Sequence, residues 1–294
     1  MTPSKSRATA RNFPTIEIIL LPGRLWYYLD MPFAGKLLRE GKGFLLAYDQ
    51  GLEHGPSDFG DESVDPEQIV RIAREAGVFT GIIFQKGVAE KYYTGGGEVP
   101  GAGEALGGWP PLVVKLNGKT SFRSGEEPYS PPLCSVEEAV RLGAGAVGYT
   151  LYVGSRYEGQ MMKELAPLEA EAHKRGLPVV GWMYPRGVQV AGKENTREIV
   201  AYAARVGLEL GCDLVKVHYT GDVESFSWVV RSAGKAGVLA VGGPKQNEEL
   251  FLKYASEVMA AGAVGMAVGR NIWQARDPVG LARKVAGVIW GGRR

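Results

Sequence analysis

Cysteine is scarce in this sequence. Cys134 and Cys212 are too few for a disulfide framework, and a reducing, cytoplasmic setting is the expectation that follows. Histidine is nearly as rare. His54, His173 and His218 do not fall into a zinc-binding spacing such as HExxH, so no metal site and no cofactor is expected from them. An excess of charge of one sign is also missing: 34 basic against 32 acidic residues leave a formal charge of +2. That balance gives no reason to expect a nucleic-acid partner. No apolar run approaches the roughly 20 residues of a membrane span. The longest candidate near the N-terminus, Ile16 to Pro22, is far too short, and no membrane partner is expected. Lys5, Arg7 and Arg11 precede it without an acid. A loose tail, rather than a targeting leader, is the expectation there.

Apolar residues are present in quantity, at 45% of the chain, enough for a full core and far from the signature of disorder. Glycine is the outlier, with 42 residues, roughly twice the usual share. It has no three-residue period, which excludes a collagen-like chain. Tight turns, or places where backbone approaches a ligand, account for such a surplus.

From Gly43 the chain alternates between short apolar runs and helical periodicity. The strand candidates are Gly43–Asp49, Gly81–Gln85, Leu112–Asn117, Ala146–Val153, Pro178–Tyr184, Asp213–His218, Val238–Val241 and Val264–Val268. Between and after them lie helix candidates. Asp65–Gly77 has Pro just inside its start and Gly at its end. Val88–Tyr93 is a short helical piece. Ser135–Gly143 opens with Ser135 and Glu138 in a capping-box pattern. Tyr157–Gly176, Thr196–Gly211, Val223–Gly237, Asn247–Gly262 and Asp277–Trp290 complete the series.

Short strands that are apolar on both faces belong in a parallel sheet covered on both sides. Eight βα units in roughly 250 residues predict an α/β fold, a TIM (β/α)8 barrel, over residues 43–294. A doubly wound open sheet is the rival, but Asp49–Gly55 lacks the GxGxxG fingerprint. Residues 1–42 are expected to be an N-terminal extension, partly helical, closing the barrel's lower end. The glycine-rich stretch Thr94–Pro111 suggests a phosphate loop. It lies between a helix and the next strand, on the face opposite barrel chemistry, and is read as a mobile loop.

Barrel chemistry sits at the C-terminal ends of the strands. That rule selects Asp49 and His54 after strand one, Lys86 after strand two, and Lys115 with Asn117 on strand three. It also selects Trp182, Tyr184 and Arg186 on strand five and Lys216 with His218 on strand six. Gly242, Gly243 and Lys245 follow strand seven, and Gly269 with Arg270 follows strand eight. Loops after strands seven and eight form a phosphate site in this fold. There the glycines let backbone N–H groups converge on an anion, and Arg270 adds a planar fork of donors. Lys216 and Lys115 each lie inside an apolar strand. Burial lowers an ammonium's pKa, and a neutral amine can attack a carbonyl to form a Schiff base. Spacing does not choose between the two lysines, and either could instead be ion-paired or point outward. Tyr184 and Asp49 are the proton-handling candidates. A nearby cation would lower the phenol's pKa.

Several stretches, read together and in order, resemble the archaeal-type class I fructose-1,6-bisphosphate aldolases. They are YDQGLEHGP (Tyr48–Pro56), FQKGVAEKYY (Phe84–Tyr93), KLNGKTS (Lys115–Ser121), WMYPRG (Trp182–Gly187), VKVHYTGD (Val215–Asp222), GGPK (Gly242–Lys245) and AVGRNIWQARD (Ala267–Asp277). The resemblance runs from about Gly41 to the C-terminus. It implies a TIM barrel, a metal-independent Schiff base and reversible cleavage of fructose 1,6-bisphosphate to dihydroxyacetone phosphate and glyceraldehyde 3-phosphate. It implies Lys216 as the nucleophile, Tyr184 as proton carrier, Asp49 as the strand-one carboxylate, and Trp182 as a wall of the substrate site. Gly242, Gly243, Gly269 and Arg270 would bind the ketone-side phosphate. Lys86, Lys115, Arg186 and Lys245 stand unranked as cations for the far phosphate. A homo-oligomer, a decamer in the family's pattern, is implied as well. Two departures stand out: Gln50 where the family usually has His, and Val241 where a serine often precedes the strand-seven glycines. A Schiff-base synthase or transaldolase-like relative acting on another phosphorylated sugar is the near alternative. A phosphate-binding isomerase with no covalent step is the distant one.

Overall fold

Each apolar run forms a strand because its side chains find cover on both sides. The strands are β1 (Gly43–Ala47), β2 (Gly81–Gln85), β3 (Leu112–Lys115), β4 (Ala144–Val153), β5 (Val179–Pro185), β6 (Leu214–Val217), β7 (Gly237–Val241) and β8 (Gly265–Val268). All pair in parallel in sequence order, and β8 closes on β1 through Leu45↔Ala267 and Leu46↔Val268. This is the expected eight-stranded barrel, seen in a computed structural model that describes residues 33–93 and 109–291. The N-terminal tail before residue 33 and most of the glycine-rich stretch, residues 94–108, lie outside the described residues.

The helices carry the start and stop signals that the sequence displayed. Asp65 caps α2 (Pro66–Ala76) by accepting from Glu67 N, and Gly77 ends it at φ 66°. Ser135 accepts from Glu138 N to open α4 (Val136–Arg141). Between them α3 (Lys86–Tyr92) follows β2. The remaining outer helices are α5 (Glu158–Lys174), α6 (Arg197–Glu209), α7 (Val223–Ser232), α8 (Glu248–Ala260) and α10 (Pro278–Ile289). The α7 helix stops earlier than the periodicity suggested. Gly234, at φ 60°, turns the chain, and Gly237 already belongs to β7. Two one-turn helices with no sequence signal line the top of the barrel, α1 (Gln50–His54) after β1 and α9 (Arg270–Trp273) after β8. They are too short to show a helical period.

The period-two alternation of strands sorts side chains into two cores. One set, including Phe44, Ile82, Val114 and Val215, faces the helices. The other set, Leu45, Ala47, Ile83, Val113, Ala146, Val180, Trp182, Leu214, Leu239 and Ala267, fills the barrel. Ala34 and Leu37, from the 3₁₀ turn Ala34–Leu37, join this inner set and are fully buried. Leu37 lies against Gly81 at the start of β2, so the turn plugs the lower end of the barrel.

At the other end Asn117 locks β3 to its neighbour. Its amide donates to the carbonyls of Ser130 (3.0 Å) and Thr150 (2.8 Å), and its oxygen accepts from Thr150 N (2.8 Å). Asn117 is fully buried, so nothing else can satisfy these three groups once it is gone. Asn117→Ala is expected to lower unfolding stability by about 3 kcal/mol or more, read as a lower urea midpoint at unchanged m-value.

Candidate active site

The inner faces of β1, β3, β5, β6, β7 and β8 continue upward into a cavity of about 340 Å³. Lys115 lies two residues beyond Val113, and Lys216 two beyond Leu214, so each lysine shares the inward direction of an interior residue. Both are buried, at 1% and 5% exposure. Trp182, fully interior on β5 and paired in register with Lys216, lies between them. The Lys115 and Lys216 nitrogens sit 5.1 and 5.0 Å from the centroid of its ring. Gly148 makes room for that indole, since a Cβ there would overlap the ring.

The two lysines differ in their partners. Lys115 Nζ contacts Asp49 Oδ2 at 3.4 Å and Glu53 Oε1 at 3.3 Å. Burial opposes its charge, but Glu53 and Asp49 outweigh burial and raise its pKa above the usual value. Lys216 forms no salt bridge among the described residues. Burial is the largest influence on it. It outweighs the attraction of Asp49, Lys115 adds a smaller repulsion, and the pKa falls to about 8. The expectation that burial would lower both lysines is therefore corrected for Lys115. Asp49 is buried too. Burial would raise its pKa, but Lys115 and Lys216 hold it below the ordinary carboxylate value.

Tyr184 also departs from expectation. Its phenol was expected to be lowered by a nearby cation. Instead burial, with Asp49 and Glu53 adding negative charge, pushes it well above 10 despite Arg186. The group is a proton donor in the resting site. Its ring packs against His218 at 5.0 Å. Burial, with Arg186 and Lys216, brings His218 down to about 4, which leaves that imidazole neutral near pH 7.

The loops after β7 and β8 form the rest of the wall. Gly242, Gly243, Gly269 and Arg270 all line the cavity. Buried Asn271 donates to the carbonyls of Gly242 (2.7 Å) and Pro244 (2.9 Å) and accepts from Gln246 N (2.9 Å), which ties the two loops together. Gly243 adopts φ 69°, a conformation costly for other residues. A Cβ on Gly269 would strike Gln50 and the Ala47 carbonyl. Val241 and Gln50, the two departures, both line the cavity, and Gln50 Oε1 is buried without a partner among the described residues.

The structure thus brings together Asp49, His54, Lys115, Trp182, Tyr184, Arg186, Lys216, Gly242, Gly243, Gly269 and Arg270. Two candidates fall elsewhere. Lys86 pairs with Glu138 at 3.0 Å and does not line the cavity. Lys245 lines a separate, outer cavity and donates to the Asn271 carbonyl at 3.4 Å. Glu53 and Asn195 line the site without having been singled out. Glu53 had a readable signal, because it lies just after strand one, where the strand-end rule already pointed. Asn195 lies in the turn before α6 and had none.

The model of the DeoC/LacD family of aldolases matches residues 44–275. A curated relative from Thermoproteus tenax, a class 1 fructose-bisphosphate aldolase, is 53% identical over 259 residues, covering 87% of this chain and 92% of that one. A crystal structure of an archaeal fructose 1,6-bisphosphate aldolase superposes with a TM-score of 0.81 at 51% identity, covering 89% of this chain and 99% of that one. Another archaeal aldolase structure, with its catalytic lysine covalently bound to the carbinolamine intermediate of its substrate, gives the same TM-score at 50% identity, with the same coverage.

Replacing Lys115 tests the division between the lysines. In Lys115→Met the charges of Asp49 and Glu53 lose their partner and act on Lys216, so its pKa is expected to rise above about 8. The check is the pH dependence of reductive methylation at Lys216, followed by mass spectrometry. Its midpoint moves to higher pH in the variant.

Proposed function

The chain belongs to the DeoC/LacD aldolases and, within them, to the class 1 fructose-bisphosphate aldolases, and from that premise we infer what each part of the cavity does. The reaction is reversible cleavage of fructose 1,6-bisphosphate to dihydroxyacetone phosphate and glyceraldehyde 3-phosphate through a Schiff base. The observation that carries the assignment of the nucleophile is the contrast between the lysines. Lys115 is held charged by two carboxylates, and Lys216 is buried and released to about 8.

In the assigned sequence, neutral Lys216 adds to the C2 ketone and forms a carbinolamine. Tyr184, which holds its proton, donates it to the departing hydroxyl, and loss of water leaves an iminium. Asp49, kept ionised, stabilises that positive charge. The iminium now stands where a neutral amine stood and favours the tyrosinate. The same oxygen then takes the C4 hydroxyl proton. The C3–C4 bond breaks, its electron pair flows into the iminium, and glyceraldehyde 3-phosphate leaves. Protonation of the resulting enamine at C3, followed by addition of water at C2, releases dihydroxyacetone phosphate and restores the amine.

The ketone-side phosphate falls to Arg270 and the loop after β7, where Gly242 and Gly243 leave the backbone uncovered. Arg186 is the assignment for the far phosphate. It lines the cavity, is exposed at its mouth, and has no carboxylate partner among the described residues. His54 also lines the cavity. Remote binding energy at the two phosphates positions the bond that breaks. A role in glycolysis and gluconeogenesis, a cytoplasmic setting and a homo-oligomeric state complete the reading. No described helix is long and apolar enough to cross a membrane.

Borohydride added with fructose 1,6-bisphosphate is expected to inactivate the enzyme and leave a reduced adduct on Lys216, located by mass spectrometry. Lys216→Ala loses at least about 10⁴-fold in kcat, and an adduct on another lysine refutes the assignment. A chelator leaves the rate unchanged. The acid limb of kcat/KM reports the free amine. Below its pKa of about 8 the amine is protonated, so kcat/KM falls as pH drops through that value.

A further inference from the structure

Arg270 is a long, flexible side chain, and its usefulness to a phosphate depends on what holds it. Its Nη1 lies 3.3 Å from Asp58 Oδ2. The same oxygen lies 3.3 Å from His54 Nδ1. One carboxylate oxygen thus touches two side chains of the substrate cavity, one from the β1 side and one from the β8 side. Asp58 itself does not line that cavity. It faces the outer one, of about 760 Å³, where Arg270 forms part of the shared wall.

The segment carrying Asp58 is fixed from several directions. Gln274, just beyond α9, donates to the Asp58 carbonyl. Phe59 stacks on Tyr48 at 5.0 Å and packs against Trp273 at 5.7 Å. Trp273 in turn donates its indole N–H to the Ala47 carbonyl at 3.1 Å. Backbone and side chain of Asp58 are therefore both tied to the element that carries Arg270. A guanidinium has five donors in a rigid fork, and Asp58 engages Nη1 only, so Nε and Nη2 stay available for an anion.

We propose that Asp58 is a positioning residue for phosphate recognition: from behind the cavity wall, it aims Arg270, and with it His54, at the ketone-side phosphate. This rests on the reading of the cavity as a sugar bisphosphate site. Asp58 touches no substrate atom and does not act on the bond that breaks.

The test compares two donors in the condensation direction with glyceraldehyde 3-phosphate, namely dihydroxyacetone phosphate and unphosphorylated dihydroxyacetone. Asp58→Asn keeps the shape and removes the charge, and Asp58→Ser gives a second variant should the first fold poorly. Either is expected to raise KM for dihydroxyacetone phosphate about tenfold, the loss of one charge-assisted hydrogen bond. Each should leave kcat, and all kinetics with dihydroxyacetone, nearly unchanged. In an Arg270→Gln background the Asp58 substitution should add nothing further. Equal losses with both donors, no loss with either, or additive losses in the double variant would overturn the proposal. Failure of the underlying reading looks different: Arg270→Gln alone would leave the preference for the phosphorylated donor intact.

Discussion

Two buried lysines in this barrel divide the nearby negative charge unequally. Both nearby carboxylates, Asp49 and Glu53, contact Lys115, and neither contacts Lys216. The two amines share one face of the interior around Trp182 and lie no more than about 10 Å apart. At an effective dielectric of about 20, two unit charges at that separation repel by at least about 1.6 kcal/mol. That is more than one pKa unit. A charged Lys115 therefore pushes in the same direction as burial, against the attraction of Asp49, and raises the neutral fraction of its neighbour.

The barrel itself was legible because its physics is local and repeated. Strand candidates stood out as apolar on both faces, and helix ends carried their own signals in Asp65, Gly77 and Ser135. The placement of Lys115 and Lys216 follows from the same alternation, once Val113 and Leu214 are known to point inward. The lowered pKa of Lys216 followed from its burial, but the charge of Lys115 did not follow. It is decided by Asp49 and Glu53, which are 62 and more residues away in the chain from Lys115 and reach it only through barrel closure. The phenol of Tyr184 is raised first by its own burial, and Asp49 and Glu53 then act on it more strongly than nearby Arg186.

Side chains that hold the loops were the least visible. Asn271 reads as an ordinary polar residue beside Arg270, yet it joins the loops after β7 and β8 through three hydrogen bonds. Asp58 stands 212 residues from the guanidinium it contacts. Cations showed the opposite error, because the sequence offered too many. Lys86 follows a barrel strand as a site lysine should, but Glu138 at the start of α4 draws it aside. Lys245 follows β7 and belongs to the outer cavity. A position after a strand narrows the choice of side chains, and partner geometry makes the selection.

The departures at Gln50 and Val241 fit this division of labour. Neither touches the pairing of Lys115 with Asp49 and Glu53. Gln50 occupies the space beside Gly269, and its carboxamide cannot titrate. A histidine there would bring a protonatable group beside the phosphate loops, so the glutamine leaves this wall less responsive to pH. Val241 presents no hydroxyl to the cavity, and its own carbonyl is taken by the Tyr254 phenol. Under the proposed reading, phosphate recognition on this side relies on backbone N–H groups and Arg270, beside which stand the contacts of Asn271 and Asp58. A site built in this way fixes its anion through the geometry of two loops more than through the number of side-chain donors. Loss of a bracing residue should then cost more than loss of a hydroxyl donor.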